Sequence, residues 1–245
     1  MTTLAPDLER HKRHILLKEI GGPGVQKLGA ASVSIVGAGA LGGPCAMYLA
    51  AAGVAAIELL DDDHVDRSNL QRQIQFGEAE DGAKKVDALA RRLIAQNKAV
   101  SVTARSKRFQ AGDNLSGDIL IDATDNYETR FALNQLAHET GRPMVHGAAA
   151  RWTGQVSVFA SGVENGAPCY KCWVPEAPPE AETCEEVGVA GPVTGIVAAH
   201  MALETLKLIT GAGRALIGKL MILDGLGGTS REIALRADTI CKVCS

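Results

Sequence analysis

Residues 32–42 read SVSIVGAGALG, a short apolar run that leads into a turn containing three glycines. An alanine-rich apolar run continues to Gly53, and a second one over residues 55–60 ends at Asp61. This order predicts a strand, a glycine turn, a helix and a second strand. Backbone N–H groups of such a turn can approach a phosphate, and a carboxylate about twenty residues further on can accept hydrogen bonds from ribose hydroxyls. Taken alone, the stretch is typical of a dinucleotide-binding dehydrogenase.

The composition is that of an ordinary globular protein. The 245 residues are 46% hydrophobic and 22% charged, which suits one α/β domain or two small ones. A formal net charge of -3 provides no general attraction to nucleic acid or to a membrane surface. The first seven residues lack the features of a signal peptide, and no uninterrupted apolar run has the length of a membrane span. We therefore expect a soluble cytoplasmic protein without a nucleic-acid or membrane partner.

Strand-like and helix-like segments alternate along the chain. Predicted helices cover residues 8–17, 83–96, 128–140 and 192–209, and predicted strands cover residues 101–104, 118–122, 144–146, 155–159, 219–224 and 232–236. Short links between them predict an α/β protein with a Rossmann-like, doubly wound and mostly parallel sheet, followed by antiparallel strands near the C-terminus. Ligands of such sheets bind beyond the carboxyl ends of the strands. Asp61 and Asp125 both follow predicted strands, so we expect them at one site.

Two Cys-x-x-Cys pairs, Cys169/Cys172 and Cys241/Cys244, supply four thiolates. Each pair has the spacing with which tight turns bind tetrahedral zinc. The alternative is a redox pair, but that chemistry needs only one such motif near a strand–helix junction. Because four sulfur ligands leave no open coordination position, we predict a structural zinc site that holds the C-terminal tail to the middle of the chain.

The two remaining cysteines lie in different surroundings. Cys45 follows the glycine turn and is expected to be a small core residue. Cys184 lies in a long acidic, proline-containing stretch over residues 162–191, where an unliganded thiol is a candidate nucleophile. The adjacent Glu185 and Glu186 disfavour a thiolate and argue for a bystander. The residues alone leave both interpretations open.

Several cations and one acidic residue are candidates for phosphate chemistry. Arg72 offers a planar guanidinium group that can bind two phosphate oxygens, and Lys85 offers a compact positive charge. The neighbouring Lys84 is an alternative to Lys85 as the lysine that contacts phosphate. Asp125 can hold Mg²⁺ through one carboxylate, or it can cap the helix predicted from residue 128. The basic segment over residues 10–14 is either a solvated helix face or the source of a further phosphate contact.

The motifs in their order resemble the MoeB/ThiF family of adenylyltransferases, which activate ubiquitin-like sulfur carriers and are related to ubiquitin-activating enzymes. The resemblance covers nearly the whole chain. It rests on RHKRHILL at residues 10–17, GAGALG at 37–42, SNLQRQ at 68–73, KV at 85–86, TDN at 124–126, CYKC at 169–172, TC at 183–184, GVAGP at 188–192 and the closing CKVC at 241–244.

The resemblance implies that ATP, instead of NAD, lies over the glycine turn. In the family's pattern Asp61 binds the ribose, Asp125 serves Mg²⁺, and Arg13 enters the active site of the partner in a homodimer. The implied nucleotide site consists of Gly37, Gly39, Ala40, Gly42, Asp61, Asp63, Asn69, Arg72, Gln73, Lys85, Asp125 and Asn126. The implied catalytic residues are Arg13, Arg72, Lys85 and Asp125, with Cys184 as a thiol that can bind the carrier covalently in ThiF-like members.

Two positions depart from the family's pattern. Ala40 stands where glycine is common, so its methyl group is expected to crowd the nucleotide slightly, and His14 replaces a common glutamine. The stretch over residues 147–155 is more similar to MoeB than to ThiF. We therefore expect a MoaD-like carrier, the small subunit of molybdopterin synthase, with the ThiS carrier of thiamine biosynthesis as the alternative. A nicotinamide-dependent oxidoreductase and a non-catalytic zinc module are the competing classes.

The resemblance also predicts how the chain is divided. We expect a single adenylation domain over residues 1–245, with an N-terminal helical arm (1–30), a nucleotide-binding core (31–160) and a zinc-bearing, carrier-binding part (161–245). Because the sequence ends at Ser245 without a rhodanese domain, we expect a separate sulfur donor such as a cysteine desulfurase.

Overall fold

A sheet of eight strands with helices on both faces forms the part of the chain, residues 7–178 and 187–245, that the computed structural model describes. The helices are α1 (Leu8–Ile15), α2 (Gly21–Leu28), α3 (Gly42–Ala52), α4 (Lys85–Gln96), α5 (Tyr127–Glu139), α6 (Tyr170–Trp173) and α7 (Gly191–Thr210). The strands are β1 (Ser32–Val36), β2 (Ala56–Leu60), β3 (Ser101–Arg105), β4 (Ile119–Asp122), β5 (Met144–Ala150), β6 (Thr153–Phe159), β7 (Lys219–Asp224) and β8 (Thr229–Ala234).

The strand order is β3-β2-β1-β4-β5-β6-β7-β8. The first five strands in this order are parallel, and β6, β7 and β8 continue the sheet in antiparallel pairs. The predicted α/β fold with a mostly parallel sheet and C-terminal antiparallel strands is therefore confirmed. Because the chain runs outward in opposite directions from β1 and β4, a crevice opens between their carboxyl ends, where ligands bind in doubly wound sheets.

Two strands, β5 and β8, differ most from the predicted ranges. β5 extends to Ala150 instead of ending at residue 146, because its last residues pair with the start of β6. β8 covers Thr229–Ala234 instead of residues 232–236. All six residues of β8 are exposed, so no burial pattern in the sequence marks where this edge strand begins.

Alternating side chains divide the core between the two faces of the sheet. Val33 and Ile35 point to the face covered by α3, α4 and α7, whereas Val36 and Leu120 point to the face covered by α5 and α6. On the first face α7 lies very close to the sheet. A Cβ atom at Gly147 would lie only 2.2 Å from the sulfur of Met201 in α7. Small residues in the strands thus set the distance between helix and sheet.

Helix α7 is long and apolar enough to cross a membrane by composition alone, with a mean hydropathy of 1.3. Half of it is buried inside the protein, against β5, β6 and α3. Among the described residues it is the one helix that meets this criterion. The same composition is expected of a helix in a protein core.

Aromatic side chains fill the second face of the sheet. The Tyr170 ring lies 5.5 Å from that of Phe159 and 5.7 Å from that of Trp173, both with edge-to-face geometry. Phe131 and His146 complete this cluster, which attaches α6 to α5 and β5. On the other face, Cys45 is fully buried in α3, and burial raises the pKa of its thiol to about 12. The prediction that Cys45 is a core residue is confirmed.

Candidate active site

A pocket opens at the carboxyl ends of β1, β2 and β4, in the crevice where the strand order reverses. The predicted nucleotide residues that line it are Gly37, Gly39, Ala40, Asp61, Asp63, Asn69, Arg72, Gln73, Lys85, Asp125 and Asn126. Gly42 does not line the pocket. A Cβ atom there would lie 1.8 Å from the carbonyl oxygen of Gly37, so this glycine allows the turn to close.

The glycine turn lines the pocket and leads directly into helix α3. Gly37 has a φ of 96°, and a Cβ atom at this position would lie 2.5 Å from the carbonyl oxygen of Ala123 after β4. Helix α3 starts directly after the turn, and its N-cap residue Leu41 provides no side-chain hydrogen bond. The positive end of α3 is therefore available to an anion at the pocket.

Asp61 is oriented by two backbone donors. Its carboxylate accepts hydrogen bonds from the N–H of Ala38 at 2.7 Å and the N–H of Asp63 at 2.8 Å. Burial raises the pKa of Asp61, and these hydrogen bonds oppose the shift. Since each carboxylate oxygen accepts only one of these bonds, each keeps a lone pair for a ligand hydroxyl.

Lys85, and not Lys84, contributes its ammonium group to the pocket. Lys85 is buried, and its Nζ lies 2.8 Å from a carboxylate oxygen of Asp63. Lys84 is exposed at the N-cap of α4 and does not line the pocket. Arg72 lies across the pocket on the loop after the 3-10 turn Arg67–Asn69, where its Nη1 donates to the carbonyl oxygen of Ser68 at 3.4 Å.

Asp125 and Asn126, two polar residues in the loop after β4, have different structural roles. Asn126 is the N-cap of α5, because its side-chain oxygen accepts a hydrogen bond from the N–H of Thr129 at 2.9 Å. The alternative that Asp125 caps this helix is therefore wrong. The Asp125 carboxylate is exposed and contacts the Asn126 amide at 3.4 Å. Its oxygens are hard ligands at the pocket edge, which fits a Mg²⁺ ion shared with phosphate oxygens.

Arg13 is not brought to the pocket of its own chain. Helix α1 packs beside the C-terminal ends of α3 and α4: the His11 ring lies against Gly53, and Arg10 donates to the carbonyl oxygen of Gln96 at 3.3 Å. Those helix ends lie at the edge of the sheet opposite the carboxyl ends of β1 and β2. The exposed Arg13 side chain therefore lies away from the pocket of its own chain.

Sequence reasoning missed a buried polar group beneath the pocket. Asp122, the last residue of β4, accepts hydrogen bonds from His146 at 2.7 Å and from the Thr124 hydroxyl at 2.6 Å. Arg130 on α5 lines the pocket and lies 4.0 Å from the same Asp122 carboxylate. An acidic residue within a four-residue buried strand was the signal available in the sequence.

Sequence reasoning also missed a set of pocket-lining residues in the segment after β3. Lys107, Arg108 and Phe109 line the pocket on the side of the acidic residues after β2, and Arg108 lies 3.3 Å from Asp62. β3 neighbours β2 in the sheet, so the rule that ligands lie beyond the carboxyl ends of strands could have identified this link.

The four cysteines of the two Cys-x-x-Cys motifs come together. Their sulfur atoms all lie within 4.8 Å of one another, with Cys169–Cys241 at 3.5 Å and Cys172–Cys244 at 3.3 Å. A tetrahedral zinc–thiolate site has sulfur–sulfur distances of about 3.8 Å, so the cluster fits this ion. Although burial opposes it, backbone N–H groups lower the pKa of Cys241 to about 7. Cys184, the candidate nucleophile, lies outside the described residues.

Comparison with known proteins places these features in a family. A sequence model of the ThiF family matches residues 11–243. The chain belongs to the ThiF family. It is 39% identical over 246 residues to the adenylyltransferase and sulfurtransferase MOCS3 of Aedes aegypti, covering 98% of this chain and 56% of that protein. It thus spans about half the length of that relative.

Two relatives are closer to this chain in length. The sulfur carrier protein adenylyltransferase of Thermus thermophilus is 37% identical, with 97% of this chain and 91% of that protein covered. The SAMP-activating enzyme E1 of Haloferax volcanii is 38% identical, with coverage of 98% and 90%. The crystal structure of Escherichia coli MccB with ATP superimposes with a TM-score of 0.77 at 20% identity, over 91% of this chain and 68% of MccB. This last similarity concerns the fold.

Proposed function

We propose that this chain is an ATP-dependent adenylyltransferase that activates the C-terminal glycine of a ubiquitin-like sulfur carrier. The observation that carries the proposal is the convergence on one pocket of the glycine turn, the oriented Asp61 carboxylate, Lys85, Arg72 and the exposed Asp125. The relatives in Thermus thermophilus and Haloferax volcanii, named for carrier adenylation and SAMP activation, support this assignment. No contact in the described residues favours the oxidoreductase or the non-catalytic module.

The reaction needs in-line geometry more than a protein nucleophile. The carrier's carboxylate oxygen attacks the α-phosphorus of ATP, the bond to the β-phosphate oxygen breaks, and pyrophosphate leaves with the electron pair. The product is a mixed anhydride with AMP as a good leaving group. Catalysis then consists of holding the two reactants in line and neutralising the charge that develops on the phosphates.

The residues of the pocket are suited to these tasks. Asp61 would orient the ribose, and the N–H groups at the start of α3 would bind phosphate oxygens. Arg72 would bind phosphate oxygens with its planar fork. A Mg²⁺ ion held by Asp125 would supply further charge neutralisation.

Lys85 has a counter-ion before ATP arrives. Its pairing with Asp63 holds the buried ammonium group at the pocket. On binding, the triphosphate would replace Asp63 as the partner of Lys85. Because the Asp63 side chain is largely exposed, water can solvate it when the lysine turns to phosphate.

A homodimer would complete the site. The position of α1 at the opposite edge of the sheet supports a role for Arg13 in the pocket of a second copy. Large apolar side chains that a partner could cover are exposed on the packed helices α3 and α7, namely Tyr48, Ile196 and Leu203. We further propose a MoaD-like carrier, with ThiS as the alternative, and a separate sulfur donor.

The test is carrier-dependent exchange of pyrophosphate into ATP. Wild-type protein with Mg²⁺ should exchange only when a carrier ending in Gly-Gly is present. Asp125→Asn should lower the rate by roughly 100-fold or more, because it removes a charge from the proposed metal ligand. Asp81→Asn, a change at an exposed aspartate outside the pocket, is the matched control. Wild-type protein that never exchanges would refute the function, whereas normal exchange by Asp125→Asn would refute only the metal assignment.

A further inference from the structure

Gln75 is a fully buried polar side chain that contacts the glycine turn. It is 0% exposed and belongs to the loop after the 3-10 turn Arg67–Asn69, three residues beyond Arg72. Its amide nitrogen donates to the carbonyl oxygen of Ala38 at 3.1 Å and to that of Gly39 at 3.0 Å. Because carbonyl oxygens only accept hydrogen bonds, the amide nitrogen and not the amide oxygen must face the turn. One side chain therefore joins the loop that carries Arg72 to the glycine turn.

Gly43, in the first turn of α3, leaves the space that this amide occupies. A Cβ atom at Gly43 would lie 2.3 Å from the amide nitrogen of Gln75 and 2.4 Å from its amide carbon. The three atoms nearest to that Cβ position all belong to the Gln75 side chain. The N–H of Gly43 donates at 3.0 Å to the same Gly39 oxygen, which can accept both bonds with its two lone pairs. The glycine and the glutamine therefore fit together as a pair.

Packing alone does not explain a glutamine at position 75. Its side-chain oxygen is buried, and it has no hydrogen-bond partner among residues 7–178 and 187–245. A buried acceptor without a partner destabilises the folded state. An apolar side chain of similar size would fill the same space without this penalty. The amide nitrogen, which holds the turn, is thus the part of Gln75 that needs a polar residue.

Holding the two carbonyl groups also fixes two N–H groups. No peptide bond in the described part of the chain is cis, and the C=O and N–H groups of a trans peptide point in opposite directions. The N–H groups of Gly39 and Ala40 therefore point away from Gln75. Gly39 and Ala40 line the pocket, whereas Gln75 does not. Neither N–H group has a hydrogen-bond partner within the described residues, so both are available to a ligand.

We propose that Gln75 is a positioning residue that orients the N–H groups of Gly39 and Ala40 toward the phosphates of ATP. The inference rests on the proposed function and deepens it, because it names the group that prepares the phosphate site before ATP binds. The same amide keeps the loop of Arg72 against the turn. Without it, the two peptides can rotate, and part of the free energy of binding is lost to ordering them.

Gln75→Met separates positioning from space filling, because methionine has a similar length and volume but no donor. Gln135→Met is the matched control, since Gln135 is exposed on α5 and lies outside the pocket. Affinity for Mg²⁺-ATP is measured by calorimetry and affinity for adenosine by saturation-transfer NMR. Gln75→Met should bind Mg²⁺-ATP about tenfold more weakly than wild type but adenosine within about twofold, because adenosine has no phosphate. The control should bind both ligands normally.

A structural role would give a different result. If Gln75 only stabilised the fold, Gln75→Met would weaken the binding of both ligands equally or of neither. Equal weakening, or normal affinity for Mg²⁺-ATP in the folded variant, would overturn the inference. Circular dichroism verifies that each variant is folded. Failure of wild-type protein to bind Mg²⁺-ATP would instead refute the proposed function.

Gly43→Ala tests the same contact and leaves Gln75 in the chain. Its methyl group should displace the amide, so this variant should also lose about tenfold in affinity for Mg²⁺-ATP and retain its affinity for adenosine. In a Gln75→Ala background the methyl group meets no amide. There, Gly43→Ala should weaken Mg²⁺-ATP binding little further. Fully additive effects of the two substitutions would overturn the inference.

Discussion

The substitution Gly42→Ala tests whether the shape of the glycine turn creates the phosphate site. Gly42 does not line the pocket, so the substitution removes no contact with a ligand. The new Cβ atom would lie 1.8 Å from the oxygen and 2.9 Å from the carbon of the Gly37 carbonyl group. To reach even 3.0 Å, the oxygen and the Cβ atom must separate by at least about 1.2 Å. The atoms in conflict are backbone atoms, which cannot rotate away.

The strain should appear in both stability and binding. Gly37 is itself confined by the carbonyl oxygen of Ala123 after β4, so the displacement must spread to the neighbouring strand. Overpacking of this kind costs about 3 kcal/mol, which lowers the melting temperature of a domain this size by roughly 6–12 °C. The affinity for Mg²⁺-ATP should fall by about tenfold or more, because the start of α3 is displaced from the pocket.

The assay is thermal unfolding together with calorimetric titration of Mg²⁺-ATP. Gly22→Ala is the matched control, because it lies in α2 and a Cβ atom there would meet nothing within 4 Å. This control should melt at or slightly above the wild-type temperature and bind normally. If Gly42→Ala melted and bound like the control, the proposed geometry of the turn would be wrong.

Two further predictions concern acid stability and metal content. Burial lowers the pKa of His146 despite its hydrogen bond to Asp122, and the hydrogen bond from His146 outweighs burial to lower the pKa of Asp122. Both groups therefore bind fewer protons in the folded state, so the free energy of unfolding should fall as the pH drops below about 6.5. Urea unfolding at about pH 8 and at about pH 5 measures this change in the free energy of unfolding. The change between the two pH values should be smaller in His146→Gln than in wild type. An equal change in both proteins would exclude His146 as its source. Metal analysis should find about one zinc per chain, and Cys244→Ser should lower both zinc content and melting temperature; zinc-free but equally stable wild-type protein would contradict the assignment.

Local signals explain why the first β-α-β unit could be predicted. β1 and β2 are five-residue apolar strands, and Gly53, with a φ of 90°, ends α3 as predicted. The spacing of the motif could not show, however, which glycines line the pocket and which one is needed for the turn to close. Gly37 and Gly39 line the pocket, whereas Gly42 is required because the chain approaches itself there.

Contacts between distant segments explain what was missed. The buried group at Asp122 was not identified because its partner His146 comes from β5, 24 residues further along the chain. The choice between Asp125 and Asn126 as helix cap also depended on where α5 begins, which sequence patterns locate only within a few residues.

The sequence by itself determined the alternation of strands and helices, the glycine turn and the chemistry of the cysteine motifs. These features depend on residues that are close together in the chain. Their spacing and backbone preferences can be recognised from the sequence alone. Only the tertiary structure decided that Lys85 instead of Lys84 faces the pocket, that Arg13 lies at the opposite edge, and that His146 and Arg130 meet the Asp122 carboxylate beneath the pocket. Those outcomes depend on how strands and helices pack, because packing sets which distant side chains meet and which are removed from water.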